Sequence, residues 1–327
     1  MINYINGALW NTLDLPARGV EIFRSGWVPK SQAAQYAEAD IPGMWLCNDV
    51  TGALPAMAQR QMLLSGSVKP VCQDGRVVGS RYEDEHAEYI LLGGILPEDL
   101  TASREAQCES SFERINQALV DEGFTFKDVI RTWFYLDHLL EWYDNFNRIR
   151  DAFFEKQKVF GGFVPASTGI GSANVYGAAI LAGAIAMRPK VPATTRAMLE
   201  SPLQCSALDY RSSFSRAAEI VTQEGRLVFI SGTASIEPGG KTVHVEDFPK
   251  QVDLSMKVVE AILGTRNMTF ENKVRAIVYI KRPEDVHAWH VWLSEHKLPF
   301  DFAQEIIADV CREDLLFEIE MDAISRV

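Results

Sequence analysis

The alternation of apolar and polar positions predicts two similar series of strands and helices along the chain. Apolar strands that end in glycine are predicted at 87–94 and at 226–232. Each strand is followed by a segment whose apolar residues recur at helical spacing, and we expect the resulting apolar stripes to pack on a β-sheet. The residues that form these stripes are Phe112, Ile115, Leu119, Val252, Met256, Val259 and Leu263.

A direct repeat relates the two series. The segment 125–136, TFKDVIRTWFYL, matches the segment 269–280, TFENKVRAIVYI, at a constant offset of 144 residues. Each copy is predicted to be a strand that is followed by a second helix and by a closing apolar strand. The order β-α-β-α-β therefore occurs twice, which predicts an α+β fold of two fused domains, each a mixed sheet packed against two helices.

The two predicted domains meet at a proline-containing connection. The segment RPKVPATT follows the closing strand of the first series, so we place the boundary between 190 and 200. The first domain then covers 1–190 and includes an extra N-terminal segment, and the second covers 200–327. Residues 1 to about 80 show broken periodicity, and we expect them to complete the first domain with a hairpin and irregular loops.

The closing strands differ in charge. In the second, at 315–324, alternation places Glu318, Glu320 and Asp322 on one face, with neighbours roughly 7 Å apart. Burial would raise the pKa of at least one of these carboxyls and create a general acid, whereas a solvated acidic face is the ordinary alternative. The equivalent strand of the first domain, ILAGAIA, has no ionisable side chain. We therefore predict one working acid site, centred on Glu318.

Composition narrows the classes of function. The chain has 47% hydrophobic residues, enough for a large core. Its net charge of -12 and pI near 5.1 argue against a surface that binds the phosphates of a nucleic acid. There is no apolar run of about 18 residues, so no membrane partner is expected. Five cysteines without a CxxC pair fit a reducing compartment, and we predict a cytoplasmic protein.

Several of these motifs resemble the RidA/YjgF family. They are DLLFEIE in the last strand, ISGTASI after the first strand of the second domain, and TFxxxVRxxxYI between them. The run 212–217, SSFSRA, is similar to the opening segment of that family. The resemblance implies that both domains have the chorismate mutase-like fold of the family, the first being a degenerate copy, and it implies a trimeric or pseudo-trimeric homo-oligomer.

Within that superfamily a fused double domain resembles the chorismatases, which split the enolpyruvyl ether of chorismate. The run 165–170, PASTGI, the segment that contains Asp209 and Tyr210, and Cys311, seven residues before Glu318, support this branch. The resemblance implies that a cysteine at this place steers the products toward a hydroxybenzoate. An inert, half-buried thiol is the alternative for Cys311.

One departure from the family bears on the reaction. Imine deaminases of the RidA type carry Pro-Ala-Arg, whose arginine binds the substrate carboxylate, but this chain has Ser167 at that place. The corresponding part of the second domain, 299–303, has no arginine either. Another arginine must therefore bind an anionic ligand.

Candidates for ligand contacts come from both domains. Arg131 and Arg275 hold the same position in the two repeats, so we assign them a structural role. Arg148 and Arg150 lie two residues apart on a helix and face different directions, so only one can reach a given pocket. The residues that we expect to contact the substrate are Arg150, Tyr210, Arg216, Gly232, Thr233 and Glu320, beside the catalytic candidates Glu318 and Cys311.

The sequence supports three hypotheses of function. The first is cofactor-free, metal-free cleavage of an enolpyruvyl ether of a small carboxylate-bearing metabolite, with Glu318 as general acid. The second is RidA-type hydrolysis of an imine or enamine, and the third is a non-catalytic metabolite-binding protein. The pair His287 and His290 has no third ligand at metalloprotease spacing, so we interpret it as packing rather than as a zinc site.

Overall fold

A computed structural model of the chain describes residues 2–8, 20–29, 31, 33, 43–48, 57–63, 67–210 and 212–326. The helices are α1 (Arg104–Asp121), α2 (Tyr143–Lys156), α3 (Phe248–Gly264) and α4 (Val286–Glu295). The strands are β1 (Ile2–Ala8), β2 (Val20–Pro29), β3 (Gly43–Asn48), β4 (Met57–Leu63), β5 (Val68–Gln73), β6 (Arg76–Glu83), β7 (Ala87–Ile95), β8 (Val129–Leu136), β9 (Ala166–Gly171), β10 (Ala173–Asn174), β11 (Ile180–Pro189), β12 (Thr195–Leu199), β13 (Ala217–Thr222), β14 (Gly225–Ala234), β15 (Lys273–Ile280), β16 (Gln304–Ile307) and β17 (Phe317–Arg326).

The two repeats build sheets with the same topology. The strand order is β5-β6-β7-β11-β8-β9 in the first and β12-β13-β14-β17-β15-β16 in the second. In both sheets the last pair is parallel, because the second helix crosses over the sheet between its two strands. The predicted α+β fold of fused domains is confirmed. Within the repeats, the periodicity missed the short parallel strand of each and the first two strands of the second repeat.

The N-terminal region departs from our expectation. The hairpin β5–β6 does complete the first repeat, but β1 to β4 form a separate five-stranded sheet in the order β1-β4-β2-β3-β10. Strand β10, a two-residue strand from the first repeat, joins this sheet by pairing with β3. The segment is therefore a third layer and not a set of loops.

The predicted helical stripes are buried as expected. Ser103 caps α1 by accepting from the backbone N–H of Ala106, and Asp247 caps α3 by accepting from that of Lys250. The stripe of α1 packs in the core of the first repeat, and the stripe of α3 packs in the core of the second. Each helix pair thus covers one face of its own sheet and leaves the other face to meet neighbouring sheets.

The uncovered faces of all three sheets share a central core. This core contains Phe23 and Leu46 of the N-terminal sheet together with aromatic and aliphatic residues of both repeats. The duplicated tyrosines, Tyr135 and Tyr279, meet here with their hydroxyl oxygens 3.0 Å apart. Equivalent positions of the two repeats therefore face each other across the interface.

The repeats also join along strand β9. The Ser167 N–H donates to Ser231 Oγ at 2.9 Å, and the Gly171 N–H donates to the Asp309 carbonyl at 2.8 Å. A Cβ on Gly171 would lie 2.6 Å from Cβ of Asp309, so this close approach requires glycine. In the described part of the chain no helix is long and apolar enough to cross a bilayer.

Candidate active site

A pocket opens between the repeats. Its walls come from α2 and β9 of the first repeat and from β14, the start of β17 and the segment before β17 of the second. The space free of protein atoms, including the mouth, is about 540 Å³. The pocket continues outward into a wider chamber beside α2.

Glu318 lies at the inner end of this pocket. It is the second residue of β17, paired with Tyr279 on one side and with Ala234 on the other. Its side chain is only 5% exposed. Burial, followed by the charge of Glu320, raises the pKa of Glu318 to about 8, although Arg131 opposes the shift. The alternative of a solvated acidic face is wrong, and Glu318 is a protonated acid at neutral pH.

Gly232 makes room for this acid. A Cβ at this position would lie 1.9 Å from Glu318 Oε1, so any other residue would displace the carboxyl. Gly232 lines the pocket as we expected, and its N–H donates to Thr168 Oγ1 at 3.2 Å. Thr233 does not line the pocket. It is buried, and its hydroxyl donates to the Ser231 carbonyl at 2.8 Å.

Glu320, which we expected to contact the substrate, lies beneath the pocket instead. It is completely buried, with Arg131 Nη2 at 2.7 Å and Trp133 Nε1 at 3.0 Å from its Oε2, while Arg275 contacts Oε1. Burial acts to raise the pKa of Glu320, but Arg275 and Arg131 outweigh it and lower the pKa below its ordinary value. Glu320 is therefore an ionised partner of the two duplicated arginines, which have the structural position that we predicted.

Three arginines line the pocket, and two of them, Arg150 and Arg216, were predicted; the third is Arg312. Arg150 is 2% exposed and donates to Asn147 Oδ1 at 2.7 Å, while its Nε is buried without a hydrogen-bond partner among the described residues. Arg216 donates to the Cys205 carbonyl through Nε and Nη2, at 2.9 and 2.8 Å. Arg148 lies in the outer chamber, so the two arginines of α2 do face different spaces. The pocket is locally cationic in an acidic protein.

Cys311 lines the same pocket as Glu318, as the sequence predicts. Burial, together with the charge of Glu318, raises the pKa of the Cys311 thiol to about 12, although the charge of Arg312 and a hydrogen bond with Tyr143 oppose the shift. The group is thus a neutral thiol at physiological pH. It can donate or accept a weak hydrogen bond, but it is not a ready nucleophile.

Some pocket residues were missed or remain unplaced. Tyr143, Ser212 and Arg312 line both the pocket and the outer chamber, and sequence periodicity gave no signal for them beyond the position of Arg312 next to Cys311. Ser167 lines the inner pocket at the place of the absent family arginine. Tyr210 ends a short 3-10 helix, but its side chain lies outside the described residues.

The pocket offers little to a metal ion. Among its described lining residues only Glu318 and Cys311 carry ordinary metal-ligating groups, and both are protonated at neutral pH. Of the two histidines in α4, His290 binds Glu305 Oε1 through Nε2 at 2.7 Å, away from the pocket. The chemistry that this site can supply is proton donation by a buried acid beside fixed cations.

The repeated topology and the one carboxyl among the described residues of the pocket lining define a fused, two-repeat protein of the RidA/YjgF type with its site between the repeats. Residues 206–325 match the family model described as Endoribonuclease L-PSP. The chain is 30% identical over 265 residues to the 3-hydroxybenzoate synthase of Streptomyces hygroscopicus, covering 71% of this chain and 73% of that protein. This chain therefore belongs to the chorismatase family.

Two further comparisons agree. A chorismatase of Streptomyces hygroscopicus is 28% identical over 213 residues, which cover 58% of this chain and 60% of that protein, less than two thirds of its length. A solved structure of a chorismatase superposes with a TM-score of 0.74 at 17% identity, covering 99% of this chain and 98% of that one. The structural match supports the fold, and the family resemblance that we inferred from the motifs is confirmed.

Proposed function

We propose that this protein converts chorismate by cleaving its enolpyruvyl ether, with Glu318 as the general acid. The observation that carries the proposal is a carboxyl with a pKa of about 8, buried in a pocket that three arginines also line. The relatives named chorismatase and 3-hydroxybenzoate synthase give the substrate class.

The reaction begins with a proton transfer to carbon. Protonated Glu318 donates to the methylene carbon of the enol ether, and the positive charge that develops at the ether carbon is shared with its oxygen. Water then adds to this carbon, the hemiketal collapses to pyruvate and a dihydrodiol, and the water proton returns to Glu318. A carboxyl with a pKa near the working pH is suited to both transfers, and such catalysis is typically worth about 10² to 10⁴-fold.

The cations of the pocket have two tasks. The first is binding, because chorismate carries two carboxylates. A carboxylate is bound most strongly by a charged hydrogen-bond donor in a site that excludes most water. Arg150 offers a buried Nε without a partner among the described residues, and Arg216 adds a second guanidinium. The second is electrostatic stabilisation of the transition state, because donors that are already fixed around the reacting atoms need not reorient as charge develops.

Cys311 bears on which product forms. Its neutral thiol lies in the same pocket as the acid, where it can contact the ring from which pyruvate departs. If a ring hydroxyl of the substrate adds to the ether carbon instead of water, it gives its proton to Glu318 and a cyclic ketal forms. The ring C–O bond of that hydroxyl then breaks as the neighbouring ring carbon loses a proton, which makes the ring aromatic. The resulting hemiketal collapses to pyruvate and a hydroxybenzoate, and no water is consumed. The resemblance of Cys311 to the family cysteine and the name of the 3-hydroxybenzoate synthase favour this second route.

The experiment is incubation of the full chain with chorismate. We expect pyruvate, measured by coupling to lactate dehydrogenase, and an aromatic or dihydrodiol co-product identified by chromatography. Glu318→Gln should lose about 10² to 10⁴-fold in kcat. Glu260→Gln, an exposed carboxylate on α3, is the matched control and should keep full activity. Absence of pyruvate from the wild-type protein would refute the proposal.

The deaminase hypothesis has less support, because Ser167 stands where the family's carboxylate-binding arginine would enter the pocket. Its test is a coupled amino-acid oxidase assay, in which a deaminase would lower semicarbazone formation. A folded Glu318→Gln variant that is as active as the wild type would instead favour the non-catalytic hypothesis.

A further inference from the structure

A second cluster of ionisable side chains lies far from the pocket, in two neighbouring turns. Glu85 and His86 belong to the turn between β6 and β7 of the first repeat, and Glu224 belongs to the turn between β13 and β14 of the second. One ligand atom from each of the three lies within 4.8 Å of the others. The cluster therefore bridges the two repeats.

His86 is held in place by its backbone. Asp84 Oδ1 accepts from the N–H groups of His86 and Ala87, both at 2.8 Å, and the His86 carbonyl accepts from the Lys190 N–H at 2.9 Å. The residue is 6% exposed. Its imidazole is thus a largely buried group, attached to a fixed backbone, inside an otherwise exposed turn.

The ring nitrogen of His86 points at both carboxylates without bonding either. Nε2 is buried and has no hydrogen-bond partner among the described residues, and it lies 3.7 Å from Glu85 Oε1 and 3.9 Å from Glu224 Oε1. These distances are too long for hydrogen bonds. A buried polar atom of this kind is unfavourable unless something pairs with it, so the gap between the three atoms needs an occupant. Lys190 does not fill it, because its Nζ binds Glu83 and the Asp84 carbonyl.

The spacing of the three atoms fits a metal ion. An ion with tetrahedral ligands at about 2.0 to 2.2 Å separates those ligands by roughly 3.3 to 3.6 Å. The observed separations from Nε2 are a few tenths of an ångström longer, and the side chains of Glu85 and Glu224 are 75% and 61% exposed, so they are free to close in. An imidazole with carboxylates suits Zn²⁺ and similar divalent transition ions better than Mg²⁺ or Ca²⁺.

We propose that Glu85, His86 and Glu224 bind one divalent transition-metal ion, with water completing its coordination, and that this ion ties the two repeats together. We expected no metal from the sequence, because the ligands carry no local spacing motif and Glu224 is separated from Glu85 and His86 by nearly all of the first repeat and by the first two strands of the second. Strand β14 runs from the Glu224 turn to the pocket, and its ten residues span about 30 Å. The ion would stabilise the fold and take no part in the chemistry.

The test is calorimetric titration of the chelator-treated full chain with Zn²⁺. We expect saturable binding of one ion that Glu85→Gln and Glu224→Gln each weaken at least tenfold. Both side chains are exposed, so these variants should fold. Glu83→Gln, from the same turn region but bound to Lys190, is the matched control and should bind like the wild type.

Thermal unfolding gives a second readout. Zn²⁺ should raise the midpoint for the wild type and the Glu83→Gln control but not for the two cluster variants, since an ion stabilises only the state that binds it. Binding that persists unchanged in Glu224→Gln would come from other groups, such as the cysteine thiols, and would overturn the proposal. Absence of saturable binding to the wild type would overturn it equally.

Discussion

Replacing Glu318 by Gln should change how the stability of the protein depends on pH. The pKa of Glu318 is raised from its ordinary value of 4.5 to about 8 in the folded protein. A carboxyl with a raised pKa binds its proton more tightly in the folded state, so its stabilising contribution is complete below about pH 4.5. That contribution is lost as the pH rises toward and through about 8. Gln has a similar shape and no proton to lose.

The magnitude follows from the two pKa values. At about 1.4 kcal/mol per pH unit, the raised pKa amounts to about 5 kcal/mol over its full range, and to about 4 kcal/mol between about pH 5 and pH 8.5. The wild type should lose this much free energy of unfolding relative to Glu318→Gln over that interval. The contribution of Glu318 to the free energy of unfolding of the wild type is therefore smaller at neutral pH than at acidic pH, because its carboxyl ionises freely in the unfolded chain while it keeps its proton in the buried site.

Urea denaturation of both proteins across this pH range measures the difference directly, and all other ionisable groups cancel in the comparison. Glu260→Gln, which removes an exposed carboxylate, should run parallel to the wild type. Parallel curves for the wild type and Glu318→Gln would show that Glu318 has an ordinary pKa in the folded state. Glu318 would then be ionised at neutral pH and could not act as the general acid.

Four further results are expected. The kcat/KM for chorismate should be level below pH 8 and fall about tenfold per pH unit above it, and an activity that rises through pH 8 would instead indicate ionised Glu318 as a base. Gly232→Ala should abolish activity in a folded protein, checked by circular dichroism, because the added Cβ occupies the position of the Glu318 carboxyl. Arg150→Gln should raise KM at least tenfold, a loss of about 1.4 kcal/mol in carboxylate binding, and an unchanged KM would remove Arg150 from the ligand contacts. Cys311→Ala should retain pyruvate release but shift the ratio of hydroxybenzoate to dihydrodiol on chromatography, whereas complete loss of pyruvate would show that the thiol is needed for the acid step.

Local patterns predicted much of the fold and of the acid. The stripes of α1 and α3, the repeated TF-Arg-Tyr strands and the alternation along β17 are all read within one element, and each appears in the structure where it was expected. Signals of this kind need no knowledge of neighbouring sheets. Alternation along β17 likewise placed Glu318 on the acidic face of its strand, but the burial that raises its pKa comes from other elements.

Features that arise between elements could not be predicted in the same way. The sheet of β1 to β4 takes a strand from the first repeat, so no single segment carries its pattern. Glu320 has the same local signal as Glu318, yet the duplicated arginines come from two repeats to pair with it, which places it below the pocket. Gly232 and Thr233 are neighbours on β14, but Gly232 lines the pocket whereas Thr233 is buried away from it. Which of the two faces the pocket depends on how β14 is oriented at the interface between the repeats.

The pairing registers explain why one acid site serves two repeats. Tyr135 faces Leu181 in the first sheet, while Tyr279 faces Glu318 in the second, so the equivalent position of the first repeat is apolar. A repeat that lost its carboxylates would leave its own buried arginine without a partner, which is strongly unfavourable. Here Arg131 crosses the interface to Glu320, which Arg275 also binds. Because the acids of β17 satisfy the arginines of both repeats, the first repeat could lose its own site without losing the interface that forms the remaining one.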